Sequence, residues 1–352
     1  MALNDYDALL LLSFGGPEGK DEVIPFLENV TRGRGIPRER LAKVGEHYFH
    51  FGGVSPINEQ NRVLISNIEK QLEARGIELP VYFGNRNWHP FAEDTAKQLE
   101  ADGHKRVLVF ATSAWGGYSA CRQYDEDIQR IREVTPQLEY TKLWQFYAHP
   151  TFVRLMANVS RSAVDAAPAG AKVLFTAHSV PNAADDVSGG PEDANLYSRQ
   201  VHEAARLVAA EAGVEEYEVV WQSRSGNPAT PWLEPDIVDR TEELHDQDST
   251  FTHLICVPLG FITDHMEVIW DLDTELRQAC EARNITLDRV ATVGLEPDFA
   301  GMVVDIAQAI ADGDKPETLS NVTVQGCTVN GAPCKPHCCE PLKHPGRPGS
   351  AN

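Results

Sequence analysis

Positive charge is scarce in this 352-residue chain: 31 Lys and Arg stand against 52 Asp and Glu, a net charge of −21. That balance argues against nucleic acid as a partner and against an electrostatic grip on anionic lipid. No stretch approaches the roughly 20 apolar residues of a membrane span. The opening Met1-Ala2-Leu3-Asn4-Asp5 lacks the basic and apolar regions of a signal peptide, so a cytoplasmic protein without a transmembrane segment is expected. A G-x-G-x-x-G dinucleotide loop and a flavin loop are missing as well. Disulfides are rare in the cytosol, so the seven cysteines read as free thiols or metal ligands.

What the chain has is alternation. Short runs rich in Val, Leu and Phe at 8–14, 80–84, 106–112, 172–178, 217–222, 252–258 and 289–293 read as strands. Between them lie apolar stripes at the i, i+4 interval, such as Leu64, Ile68, Leu72 and Val201, Ala205, Val208. Continuous apolar strands separated by helices predict parallel sheets covered on both faces. The pattern divides near His149-Pro150 into two similar halves. The expected architecture is α/β: two doubly wound, Rossmann-like domains, 1–149 and 150–315, facing across a cleft, then a Cys-rich extension, 316–352. A last helix around 298–311 closes the fold by packing back on the first domain.

The densest chemistry lies in Asp264-His265-Met266-Glu267-Val268-Ile269-Trp270-Asp271-Leu272-Asp273-Thr274-Glu275. On one helix, Glu267, Asp271 and Glu275 would stack on a single face, and like charges at i, i+4 destabilise an isolated helix. A solvated acidic face is the bland explanation. Here the run follows an apolar strand, at the sheet edge where doubly wound folds bind ligands, and it invites a cation or mobile protons. His178 ends another apolar strand; alone, such a histidine is more often structural than catalytic, but the acidic helix raises the catalytic reading. Ser13-Phe14-Gly15-Gly16-Pro17 and Trp221-Gln222-Ser223-Arg224-Ser225-Gly226 follow two further strands. Arg32, Arg34, Tyr48 and the Gly52–Asn58 stretch combine cations, aromatics and glycine, a mixture suited to a large flat ligand with carboxylate edges. Cys327, Cys334, Cys338 and Cys339 crowd the tail and favour a metal centre, zinc or iron-sulfur. Adjacent Cys338 and Cys339 make awkward joint ligands, which leaves Cys121 in reserve, while Cys256 and Cys280 read as core residues.

Leu10-Leu11-Leu12-Ser13-Phe14-Gly15-Gly16-Pro17, Gly52-Gly53-Val54-Ser55-Pro56-Ile57-Asn58, Thr176-Ala177-His178-Ser179-Val180-Pro181, Trp221-Gln222-Ser223-Arg224-Ser225-Gly226 and Gly260-Phe261-Ile262-Thr263-Asp264-His265-Met266-Glu267 together resemble the ferrochelatases, in order, over about 8–311. In detail the chain is similar to the actinobacterial branch, whose members are coproporphyrin III ferrochelatases and often carry a 2Fe-2S cluster on a cysteine-bearing extension. The resemblance implies insertion of ferrous iron, as substrate, into coproporphyrin III, giving coproheme and two released protons. His178 matches the family's active-site histidine, and Glu267 its partner carboxylate across the porphyrin. Phe14, Arg32, Tyr48, Ser55 and Tyr124 become porphyrin contacts, and Asp264, Asp271 and Glu275 a route for protons or iron. Cys327, Cys334, Cys338 and Cys339 become the cluster ligands. Phe14 stands where some relatives place an iron-binding tyrosine, and Thr31 and His47 replace propionate-binding arginines; an internal cluster cysteine of other branches falls near Thr151 and is absent.

Metallation supplies its own requirements: a base for two pyrrole N–H protons and a carboxylate to deliver iron. Which of His178 and Glu267 does which stays open at this stage. A monomer is expected, passing coproheme to the next haem-pathway enzyme. Protoporphyrin IX as substrate, a non-catalytic porphyrin carrier and an iron-sulfur electron-transfer protein are the alternatives.

Overall fold

The structure is a computed structural model that describes residues 3–33, 35–225, 229–323, 326 and 328–342. Arg34, Gly226 and Cys327, singled out above, lie outside the described residues. Strands β1 (Ala8–Ser13), β2 (Val81–Asn85), β3 (Arg106–Ala111) and β4 (Glu139–Lys142) form one parallel sheet in the order β2-β1-β3-β4. Strands β5 (Lys172–His178), β6 (Glu218–Gln222), β7 (His253–Val257) and β8 (Thr286–Arg289) form a second in the order β6-β5-β7-β8. The two orders correspond strand for strand. In each, the winding reverses beside the first strand, and a crevice opens there at the carboxyl ends.

The helices fill the connections. They are α1 (Val23–Val30), α2 (Arg38–His50), α3 (Ile57–Ala74), α4 (Ala92–Ala101), α5 (Gln123–Val134), α6 (Pro150–Ala166), α7 (Asn182–Asp186), α8 (Leu196–Ala212), α9 (Ile237–Gln247), α10 (Met266–Trp270), α11 (Arg277–Ala282) and α12 (Pro297–Asp312). No helix among the described residues is long and apolar enough to cross a membrane.

Every residue of β1 is buried, as a strand covered on both faces must be. Its alternate side chains enter different cores: Leu9 and Leu11 join the large one, Ala8, Leu10 and Leu12 a smaller one under α4 and α5. The large core is shared by the two sheets, taking Phe110 from β3, Phe175 from β5 and Val257 from β7. Helix α12 bridges them, with Phe299 and Val303 in that core and Arg75 of α3 bonded to Asp305 at 2.6 Å.

Two strands differ from expectation. The stretch Glu139-Tyr140-Thr141-Lys142 is too polar to read as a strand, yet it is β4, and Lys142 is buried because Asp125 Oδ1 lies 2.5 Å from its ammonium. The last strand covers Thr286–Arg289 rather than 289–293; it is a half-buried edge, Val290 N still bonds the Cys256 carbonyl at 3.0 Å, and Val293 beyond it reaches the core. The extension after α12 returns along the free edge of β4. Val329 bridges Thr141 in antiparallel fashion, Lys142 N donates to the Thr328 carbonyl, and Asn330 pairs with the backbone of Tyr140. The open sheet edge is thereby covered.

Candidate active site

His178 closes β5 at the reversal point of the second sheet. The exit of β7 presses directly on it. A Cβ on Gly260 would meet the Ala177 Cα at 2.6 Å, so only glycine lets Gly260 N reach the Thr176 carbonyl at 2.9 Å. That close approach brings the helix after β7, and Glu267 with it, to the histidine. His178 Nδ1 faces the Ser179 carbonyl within hydrogen-bond distance. A carbonyl can only accept, so Nδ1 carries the proton and Nε2 points into the cleft. Glu267 Oε2 lies 3.6 Å from that nitrogen and 3.6 Å from His265 Nε2, between two imidazoles.

Burial disfavours charge on His178, but Glu267, with help from the Ser179 carbonyl and Asp271, outweighs it and pushes the imidazole up to about 9. Burial likewise opposes ionisation of Glu267, and His178 and His265 reverse this, holding the carboxyl well below its usual range. The two side chains keep 35 % and 49 % of their surface open to the cleft, so water moderates both shifts without changing their direction.

Two groups 3.6 Å apart cannot bracket a porphyrin, because a ring between them would need van der Waals contact of about 3.5 Å on each side. The expected placement of Glu267 across the porphyrin from His178 does not match this geometry, which puts the two side chains on the same side of the cleft.

The acidic run is not one regular helix. Helix α10 gives way to a π-helical segment, Asp271–Leu276, and then to α11. Asp271 turns inward, accepting from Gln222 Nε2 at 3.2 Å and from the Ser223 hydroxyl. Burial raises it to about 7 against those bonds, aided by the Glu267 and Glu275 charges. Glu275 accepts from Trp270 Nε1 at 3.0 Å, and Trp270 stacks on His47 at 3.8 Å. Asp264 points elsewhere: Arg289 pairs with it at 2.7 Å and also with Asp273. Glu267 and Glu275 are thus exposed and Asp271, between them in sequence, is half-buried, while Asp264 is held by Arg289.

The end of β1 supplies the facing residues. Ser13 is buried and receives Asn61 Nδ2 at 2.9 Å and Thr112 Oγ1 at 3.1 Å. Phe14 is 36 % exposed, edge-on to Phe26, which also meets Tyr48 and Trp88. Ser55 is buried against Gly16, where a Cβ would meet its own at 2.6 Å. Tyr124 is buried behind this wall, its hydroxyl 3.1 Å from Thr112 Oγ1 and its ring under Arg86. Arg32 is exposed just after α1. Sequence reasoning gave no role to Phe26, Trp88, Gln222, Arg289 or Tyr197; the last donates its hydroxyl to the His178 carbonyl at 2.6 Å. Of these only Gln222 lies within one of the quoted motifs, and no local pattern points to the other four.

Away from the cleft, thiols converge. Cys334 Sγ lies 3.4 Å from Cys338 Sγ, which lies 3.6 Å from Cys339 Sγ, and Cys339 accepts from the Cys121 thiol. Adjacent Cys338 and Cys339 do not diverge, because His337 and Cys339 adopt φ of 59° and 50° and fold the backbone back. Cys121 begins the path to the cleft: it lies in a π-helical turn, Tyr118–Arg122, that runs into α5 and Tyr124. Cys256 and Cys280 are buried in the core under α9 and α11. Among the described residues, no three His, Cys, Asp or Glu side chains surround a point closely enough to hold a metal ion by themselves.

Residues 6–310 match the sequence model of the family described as Ferrochelatase. A protein of Corynebacterium glutamicum (strain R) named coproporphyrin III ferrochelatase is 54 % identical over 347 residues, covering 96 % of this chain and 93 % of that protein. One of the same name from Nocardia farcinica is 51 % identical over 350 residues, covering 97 % and 99 %. Among solved structures, SirB from Bacillus subtilis with Fe3+ shares the fold at 12 % identity and a TM-score of 0.53, covering 89 % of this chain and all (100 %) of that one. Motifs, twin sheets and whole-length similarity agree, and the chain belongs to the ferrochelatase family.

Proposed function

We propose that the protein inserts ferrous iron into coproporphyrin III, releasing two pyrrole protons and coproheme, and that His178 is the base and Glu267 the carboxylate that receives iron. The observation that carries this is the 3.6 Å pair at the reversal point of the second sheet. While Glu267 is free, its charge keeps His178 protonated and unable to act as a base. Iron arriving at Glu267 cancels that charge, the imidazolium releases its proton, and Nε2 becomes competent as the metal reaches the ring. Asp271, poised near neutrality at about 7, and Glu275 lead the protons outward. The aromatic wall of Phe14 and Tyr48 covers the other ring face, with Ser55 at its edge and Tyr124 supporting it from behind; a phenyl group at position 14 offers iron no donor. Arg32, exposed near the rim, pairs with a propionate. We place this activity in the cytoplasm, in a monomer divided at 149 and 315.

His178→Ala tests the reading against a passive carrier. Quenching of coproporphyrin III fluorescence should persist while metallation falls by orders of magnitude; equal metallation by the variant removes His178 from the mechanism.

The second part of the proposal is a 2Fe-2S cluster held by the thiols of the extension. Four sulfurs in contact, with Cys334 and Cys339 lowered by hydrogen bonds from neighbouring thiols, suit iron that takes thiolates in pairs. The cavity between them measures ≈ 10 Å³, so the thiols part to admit a cluster. Cys334, Cys338 and Cys339 are then joined by Cys121 or by Cys327. Bound there, the cluster would fasten the extension to the sheet edge. Serine replacement of each cysteine in turn, read by visible absorption, separates ligands from bystanders; an unchanged spectrum in Cys334→Ser sinks the assignment.

A further inference from the structure

Behind the catalytic histidine stands a residue to which the chemistry above gives no part. Tyr197 lies in the first turn of α8, 6 % exposed, with its hydroxyl 2.6 Å from the His178 carbonyl. Its ring is held edge-on by Trp115 and at a tilt by Trp221. Burial keeps the phenol protonated, so it remains a donor.

The turn that carries Tyr197 is seated by a buried carboxylate that is held by hydrogen bonds. Asp185 accepts from Ser198 N at 3.0 Å, the Ser198 hydroxyl at 2.6 Å, Asn195 Nδ2 at 3.2 Å and the Ser188 hydroxyl at 3.3 Å. Ser188 Oγ in turn accepts from Tyr197 N at 3.0 Å. The next residue, Gly189, donates its N–H to Cys339 Sγ at 3.3 Å. No side chain fits at Gly189, where a Cβ would lie 2.2 Å from the Asp193 carbonyl oxygen. Two adjacent residues therefore face two sites: Gly189 holds the cysteine sulfur, and Ser188 holds the tyrosine that holds the histidine.

We propose that Tyr197 is a positioning residue for metallation, linking the cysteine site of the extension to His178 through Gly189 and Ser188. The inference rests on His178 being the base. Its physical content is geometric: the His178–Ser179 peptide is fixed on one side by Ser179 N bonded to the Gln222 carbonyl at 2.8 Å, and on the other by Tyr197. Releasing the second tether lets the imidazole shift against the iron and the ring, and a displacement of about 1 Å can cost up to about 100-fold in rate. Because Ser188 and Gly189 are neighbours, movement of Cys339, by cluster loss or oxidation, reaches the same tether.

The test uses the full-length protein and four variants. Tyr197→Phe keeps the ring and its aromatic contacts and removes only the hydroxyl. Ser188→Ala breaks the path without touching a cysteine, Cys339→Ala breaks its far end, and Tyr197→Phe/Cys339→Ala tests dependence. Two quantities are read: kcat against KM for coproporphyrin III, and the ring signals of isotopically labelled His178 in protein purified anaerobically, without added substrate iron or porphyrin. Tyr197→Phe should lower kcat about tenfold with KM within about twofold, and should shift the His178 signals. Ser188→Ala and Cys339→Ala should shift them in the same direction, and the double variant should be no worse than Tyr197→Phe alone. Wild-type kcat and signals in Tyr197→Phe overturn the positioning role. Additive effects of Cys339→Ala and Tyr197→Phe overturn the link to the cysteine site. Should His178→Ala keep full turnover, the base assignment fails, and the ring signals still decide whether Tyr197 positions the imidazole.

Discussion

Glu267→Gln keeps the size of the side chain and removes the charge beside His178. In the wild-type protein burial lowers the proton affinity of the imidazole, and the carboxylate 3.6 Å away overturns this, bringing it from 6.5 to about 9. In the variant, burial is opposed only by the Ser179 carbonyl and Asp271, the weaker contributors. The His178 midpoint should therefore fall to 6.5 or below. Cleft water, which reaches 35 % of the histidine, reduces the size of the change and leaves its sign intact. Titration of labelled His178 by NMR, without porphyrin or iron, reads the midpoint directly. The rate should move the opposite way from a simple base argument: the variant has a neutral imidazole at pH 7 and still metallates orders of magnitude more slowly, because nothing receives the iron. Coproporphyrin III binding should be unchanged. A His178 midpoint still near 9, or near-normal turnover, refutes the coupling of base and carboxylate.

The same pair predicts a stability profile. The raised His178 contributes fully below pH 6.5 and loses its contribution as pH rises through about 9, while the depressed Glu267 contributes above pH 4.5 and loses it on acidification. The unfolding free-energy advantage of wild type over Glu267→Gln, measured by urea unfolding across pH, should peak between pH 4.5 and 6.5 and vanish above about 9, with a size of about 1 kcal/mol at most for so open a pair. Lys142→Met strands Asp125, whose side chain is 3 % exposed, and should cost about 3–5 kcal/mol in urea unfolding. Adding Asp125→Leu should recover part of that loss; a cost under about 1 kcal/mol in the single variant would mean the pair is not buried in solution.

The strands legible in the sequence were those buried on both faces, because β1, β3, β5 and β7 are nearly continuous apolar runs. Those missed or displaced, β4 and β8, are edges whose polar residues are satisfied by partners distant in sequence: Asp125 for Lys142, and Asp264 and Asp273 for Arg289. Periodicity found the acidic run but not its π-helical segment, which shifts the facing of every residue after Asp271 and is set by packing. His178 is visible as an unusual residue at a strand end, and Glu267 as part of an acidic run that follows another strand. Their approach to 3.6 Å depends on Gly260 resting on Ala177, a contact across 83 positions that no local pattern encodes. The convergence of Cys121 with the extension is hidden for the same reason: a single cysteine carries no spacing. The actinobacterial motif order pointed to the family, and the whole-length similarity agrees with it.

The most direct measurement is the absorption time course after anaerobic mixing of the protein with ferrous iron and coproporphyrin III, with protoporphyrin IX in a parallel reaction. Rapid appearance of the coproheme spectrum, slow or absent protoheme formation, and loss of both in His178→Ala are the expected results. Tight binding of coproporphyrin III with no metallation, or faster metallation of protoporphyrin IX, would contradict the proposed activity.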